Sequence, residues 1–184
     1  MLEVQHSLNT IKSTDKGTHF HSIFRNFASI IRIVYEEMIE IGLKYTSELT
    51  VTDAVTAIAV GSGDMPVLAT PMMVALMENA AMLAIKDELP EGCTTVGGHI
   101  ESSHLKPSKI GDVVKATAEV TKVDGKKIEF KVSAYSGERL RVGDEMSGMT
   151  LLGEGTHLRF IVDREKFLRP DGSKRPEVER MSRF

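Results

Sequence analysis

Residues 70–85 read TPMMVALMENAAMLAI, and this stretch decides the fold. Thr70 offers a hydroxyl suited to capping a helix, and Pro71 is pre-set for the first helical position. From Pro71 to Ile85 only Glu78 and Asn79 interrupt a run of Met, Val, Leu, Ile and Ala. A helix apolar on every side is normally buried. An unpaired carboxylate in such surroundings costs several kcal/mol or takes up a proton. Glu78 therefore marks a site or an interface rather than a solvated surface.

The segments around the helix read as strands. Ile41, Leu43, Tyr45, Leu49 and Val51 give a first strand with rough period-two alternation. GSGDMP (61–66) is a loop. After Pro90, TTVGGHIESSHL (94–105) is a strand with a glycine pair. Ala116, Ala118 and Val120 alternate with polar residues, and Asp124-Gly125 supplies a tight hairpin turn. The return strand puts Ile128, Phe130, Val132 and Ala134 on one face. SGERLRVGDEMSG (136–148) is a polar loop or a ragged extension of two strands. In GEGTHLRFIVD (153–163), Thr156, Leu158, Phe160 and Val162 share a face. Strands with one apolar and one polar face suit an antiparallel sheet covered on one side. The fold class is α+β, an antiparallel sheet wrapped around one long central helix, which is the hotdog arrangement.

At 184 residues, the chain divides into a non-catalytic N-terminal extension (1–37), a domain over 38–167 and a charged tail (168–184). Within the extension, residues 20–35 carry apolar residues at helical spacing. A net charge of −3 provides no global basic field for nucleic acid. The single cysteine, Cys93, precludes an internal disulfide and fits a reducing compartment, so a cytoplasmic protein is expected. No apolar run reaches the roughly 18 residues of a membrane span. No histidine–cysteine spacing suggests zinc, so no metal is expected, and no dinucleotide or P-loop fingerprint occurs. The Met cluster of 65, 72, 73, 77 and 82 reads as adaptable core.

Three blocks, ATPMMVALMENAA, VGGHIESSHLKPSKIGD and GEGTHLRFIVDREKF, resemble the hotdog-fold acyl-CoA thioesterases, most closely the fluoroacetyl-CoA thioesterase-like group, over about residues 40–167. The resemblance implies a catalytic constellation of Thr70, Glu78 and His104, with Gly97 and Arg159 on the substrate. It implies hydrolysis of a short- or medium-chain acyl-CoA by a homodimer or dimer of dimers. CoA is then part of the substrate and no separate cofactor is needed. The aromatic lid position of the group falls near Asp64, with no aromatic close by, so fluoroacetyl-CoA itself is less well supported than thioester hydrolysis.

The residue types suit this chemistry. A thioester needs a nucleophile, a proton acceptor and donors for the developing oxyanion. Glu78 is expected to act with His104. Thr70 and Glu78 stand eight residues apart, roughly 12 Å along a helix, so a site containing both is expected to span two antiparallel helices of a dimer. Each residue also has a plain structural role: Thr70 as a cap, His104 at a strand end. His99 and His157 read as structural or peripheral. Lys106, Lys109, Lys126 and Lys127 are available for CoA phosphates, but a solvated strand edge accounts for them equally well. The competing functions are a hotdog enoyl-CoA hydratase or dehydratase and a non-catalytic acyl-CoA-binding protein.

Overall fold

The computed structural model describes residue 35 and residues 37–137 and 150–168. The expected loop from 138 onward, nearly all of the 1–37 extension and the tail beyond Leu168 lie outside the described residues. Among the described residues five strands form one antiparallel sheet: β1 (Lys44–Thr50), β2 (Cys93–His104), β3 (Val113–Asp124), β4 (Lys127–Gly137) and β5 (Thr150–Asp163), in the order β1-β3-β4-β5-β2. The helix α1 (Thr70–Ala84) lies across one face, and a single turn, α2 (Arg164–Phe167), follows β5. Among the described residues no helix is long and apolar enough to cross a membrane.

Alternation builds the core. Val114, Ala116, Ala118 and Val120 of β3, with Ile128, Phe130, Val132 and Ala134 of β4, are fully buried. They meet Met73, Met77, Ala80, Ala81 and Ile85 of the helix region. The β3–β4 hairpin turns at Asp124-Gly125 as expected, with Gly125 at φ +58°. Tyr35 and Met38 also pack on the core, so contact with it begins before the first strand.

Three expectations need correction. The first strand starts later, because Gly42 turns the chain at φ +96° and Ile41 is left 70 % exposed. The helix is not buried on all sides. Met73, Met77, Ala80 and Ala81 form one covered stripe at helical spacing, whereas Pro71, Ala75 and Asn79 are exposed. One layer of sheet can cover only one side of a helix. Finally, the face shared by Thr156, Leu158, Phe160 and Val162 is the outer one, with Phe160 38 % exposed, while His157 and Arg159 join Ile161 on the inner face. The register places His157 opposite the buried Phe130, and an irregularity at Leu152, between the Ala134 and Tyr135 pairings, sets this phase. Period-two alternation defines two faces but does not say which one meets the core when the inner face carries polar residues.

Candidate active site

Thr70 is the first helical residue, and Ala69, which caps the helix, makes no side-chain capping bond. The Thr70 hydroxyl is therefore not spent on the helix end. Its Oγ1 lies 2.8 Å from Nδ1 of His104, the last residue of β2. The other ring nitrogen, Nε2, is covered and makes no hydrogen bond of ordinary geometry. Burial lowers the His104 pKa below its usual value, and the Lys106 carbonyl opposes this by favouring a protonated ring. In the neutral tautomer that carries its proton on Nε2, Nδ1 can accept the Thr70 O–H. This is the arrangement of a hydroxyl nucleophile with its base.

Glu78 sits two turns along α1. Its side chain is 39 % exposed, so the expected burial of this carboxylate does not occur within one chain. Oε1 lies 3.7 Å from Nε2 of His157, whose side chain is fully buried. Gly97 faces both. A β-carbon there would lie 2.7 Å from Glu78 Oε1 and 3.3 Å from His157 Cε1. The glycine is thus needed for space beside the carboxylate. Gly97→Ala is expected to leave the thermal midpoint near that of the parent, because the clash is with the end of a flexible side chain. Turnover should fall about 10²-fold as the carboxylate is displaced. Retention of both would show that Glu78 is not needed at this position.

Arg159 completes this second group. Its Nε donates to Thr95 Oγ1 at 2.9 Å and Nη2 to the Thr95 carbonyl at 2.9 Å. Nη1 lies 3.1 Å from His157 Nε2 and donates to the Glu78 carbonyl at 3.4 Å. Burial lowers the Arg159 pKa and the Glu78 charge raises it; a guanidinium keeps its proton throughout. His157 also has a lowered pKa, chiefly from burial, with the Arg159 charge and the His99 ring acting the same way. The His99 carbonyl and the Glu78 carboxylate oppose the shift.

The structure thus joins Thr70 to His104, and Gly97 and Arg159 to Glu78. Among the described residues no hydrogen bond or ion pair links Glu78 to His104, so their expected partnership is not made within one chain. His157, taken from sequence as peripheral, is in contact with Glu78. The available signal was its place two residues before Arg159, which puts both on one face of a strand.

Two histidines with lowered pKa values make stability depend on pH. The unfolded chain protonates them near their ordinary pKa of about 6.5, whereas the folded chain resists protonation until lower pH. Their contribution is flat above that value. Stability is lost as pH falls through it, because the unfolded state then binds more protons. Urea midpoints should drop between about pH 7.5 and 5.5, and less so in His157→Gln. An equal drop in that variant would exclude His157 as a contributor.

Comparison with known proteins places these groups in context. The family described as fluoroacetyl-CoA-specific thioesterase matches residues 51–165. The fluoroacetyl-CoA thioesterase of Streptantibioticus cattleyicolor is 36% identical over 101 residues, 55% of this chain and 65% of that enzyme. The match thus spans slightly under two thirds of that relative's length. The solved fluoroacetyl-CoA thioesterase FlK superposes with a TM-score of 0.59 at 27% identity, covering 70% of this chain and 92% of that one. A structure of a threonine-to-serine mutant of FlK holds acetyl-CoA. A thioesterase superfamily member from Thermus thermophilus gives a TM-score of 0.60 at 28% identity, covering 70% of this chain and 88% of its own.

Proposed function

Since this chain belongs to the fluoroacetyl-CoA-specific thioesterase family, we propose that it hydrolyses a short- or medium-chain acyl-CoA in the cytoplasm, at sites that two copies of the chain complete together. One observation carries the reading: Thr70 with His104, and Glu78 with Gly97 and Arg159, form two separate groups on one helix–sheet unit. Each is half of a hydrolytic site.

A two-fold homodimer unites them. Among the described residues β2 is a twelve-residue edge strand with one side unpaired in the sheet, and such an edge is a ready template for a second strand. The side of α1 turned away from the sheet carries Pro71, Ala75 and the partly covered Val74. Pairing β2 with its copy and laying the two helices antiparallel brings Thr70 and His104 of one chain towards Glu78 of the other.

In the proposed reaction His104 Nδ1 takes the Thr70 proton as Oγ1 adds to the thioester carbonyl carbon. The oxyanion forms near the N-terminal end of α1, where the helix dipole favours negative charge. Collapse breaks the C–S bond, and the CoA sulfur leaves with the proton held by His104. Glu78 of the second chain then removes a proton from water as that water attacks the carbonyl carbon of the acyl ester. Collapse breaks the C–O bond to Thr70, whose Oγ1 takes the proton back from Glu78, so the acid is released and both the Thr70 hydroxyl and the Glu78 carboxylate are restored.

The first test is a panel of acyl-CoA thioesters, fluoroacetyl-CoA included, with free thiol as the readout. Hydration of crotonyl-CoA without thiol release would replace hydrolysis by a hydratase, and tight binding without turnover would make the protein an acyl-CoA binder. The second test mixes Thr70→Ala and Glu78→Gln proteins, each inactive alone. After subunit exchange about a quarter of wild-type turnover should return, since half of the dimers are mixed and half of their sites intact. No recovery after verified exchange would rule out shared sites.

A further inference from the structure

From the bonding around His157 we infer that this residue is a positioning residue for Glu78: as a neutral acceptor it holds the Arg159 guanidinium off the Glu78 carboxylate and leaves that carboxylate free to act as a base. The inference rests on the proposed hydrolysis.

The tautomer follows from the bonding. His157 Nδ1 lies 2.7 Å from the His99 carbonyl oxygen, which can only accept. Nδ1 therefore carries a proton, and in the neutral ring Nε2 carries a lone pair. That lone pair takes a hydrogen bond from Arg159 Nη1 at 3.1 Å. The His99 carbonyl is placed by the β-bulge in β2, where the pairing with β5 skips Gly98 between Gly97 and His99. Bulges re-aim backbone groups in this way. From β4 the Phe130 ring lies beside His157 at a centroid distance of 6.4 Å, and the imidazole is fully buried.

An arginine beside a carboxylate ordinarily forms a bidentate ion pair. Arg159 instead directs its hydrogen bonds at uncharged acceptors: both oxygens of Thr95, the Glu78 carbonyl and His157 Nε2. Without the Nε2 acceptor, Nη1 would be free to turn to the Glu78 carboxylate, whose Oε1 lies 3.7 Å from His157 Nε2. A carboxylate locked in a bidentate pair is a poorer base, because the ion pair stabilises its charged form.

Protonation reverses the arrangement. A proton on Nε2 removes the acceptor for Arg159 and points a donor at Glu78 Oε1. The charged groups facing His157 are Glu78 from α1, Arg159 from its own strand and the ring of His99 from β2 when that ring is protonated; the β4 neighbour, Phe130, is uncharged. Of these, only Glu78 favours the imidazolium. Acid inactivation then includes a step belonging to His157.

The test uses the full-length protein and combines two readouts. Nitrogen-15 spectra of the wild-type histidines should show His157 at neutral pH protonated on Nδ1 and not on Nε2. An Nε2–H tautomer would overturn the inference whether or not any thioester is cleaved. The pH dependence of kcat is then compared with His157→Gln, which keeps an acceptor near Nε2 but cannot become a cation. Its acid limb should lie about one pH unit lower than that of the wild type. His157→Leu, which lacks the acceptor, should lose about 10²-fold in kcat with little change in KM. Coincident acid limbs in wild type and His157→Gln would sink the positioning role while leaving hydrolysis standing. Wild type that cleaves no thioester would sink the hydrolytic reading, with the tautomer still deciding the geometry.

Discussion

Glu78→Gln is expected to lower kcat for thioester hydrolysis by about 10²–10⁴-fold, the usual range for removing a general base, with little loss of fold. The exchange is nearly isosteric, and the side chain is 39 % exposed, so no buried charge is stranded. It leaves the buried stripe of Met73, Met77, Ala80 and Ala81 untouched. The backbone carbonyl of residue 78 still accepts from Arg159. Chemistry should fail at the second step: Thr70 and His104 remain to form the acyl ester, but no carboxylate activates water to cleave it. A pre-steady-state burst of thiol, up to one per site, should therefore precede the stall, and mass spectrometry should find the acyl group on Thr70. Full steady-state turnover would remove Glu78 from the mechanism. A stall without a burst would make Glu78 the base for the first attack and water the nucleophile.

The second large effect concerns Gly155 of β5. Gly155 pairs with Ser102 of β2 and Val132 of β4. A β-carbon at this position would collide with the Glu101 carbonyl oxygen and approach Ser102 Cα at 2.8 Å. Both are backbone atoms of the neighbouring strand and have no rotamer through which to move aside. Gly155→Ala should therefore push β2 off β5, at a cost of about 1–3 kcal/mol or more. That is a large share of the roughly 5–15 kcal/mol that holds a domain folded. Because β5 is the neighbour of β2 within one chain among the described residues, the damage should concentrate there, displacing both Gly97 and His104. A clear fall in the urea midpoint together with loss of turnover is the expected outcome. An unchanged midpoint would mean that the strands can separate locally without cost. The contrast with Gly97→Ala is physical: there the obstructing atom ends a flexible side chain, and activity should fall without the fold.

Several features were legible in residue order because they depend on neighbours in sequence. The alternation in 113–134 around Asp124-Gly125 specifies a hairpin and its buried face, and both strands bury the residues the pattern names. The apolar run after Pro71, broken only at Glu78 and Asn79, specifies a helix. The separation of Thr70 from Glu78 along that helix also followed from spacing alone.

Other features depended on what lay across space. Thr70 reads as a cap in sequence, yet its hydroxyl goes to His104, thirty-four residues away. A local pattern cannot weigh a first-turn amide against a distant imidazole. β5 carries apolar residues on one face and His157 and Arg159 on the other, and sequence pattern favours burying the apolar set. The observed sheet buries His157 and Arg159 alongside Ile161, because Thr95, His99 and Glu78 supply partners that offset the desolvation of the polar pair. Those partners come from β2 and α1, and only the folded chain brings them together. By itself the sequence determined the helix, the hairpin and the one carboxylate that needed a reason. The tertiary structure decided which groups meet that carboxylate, since hydrogen-bond partners far apart in the chain are chosen by strand register and not by periodicity.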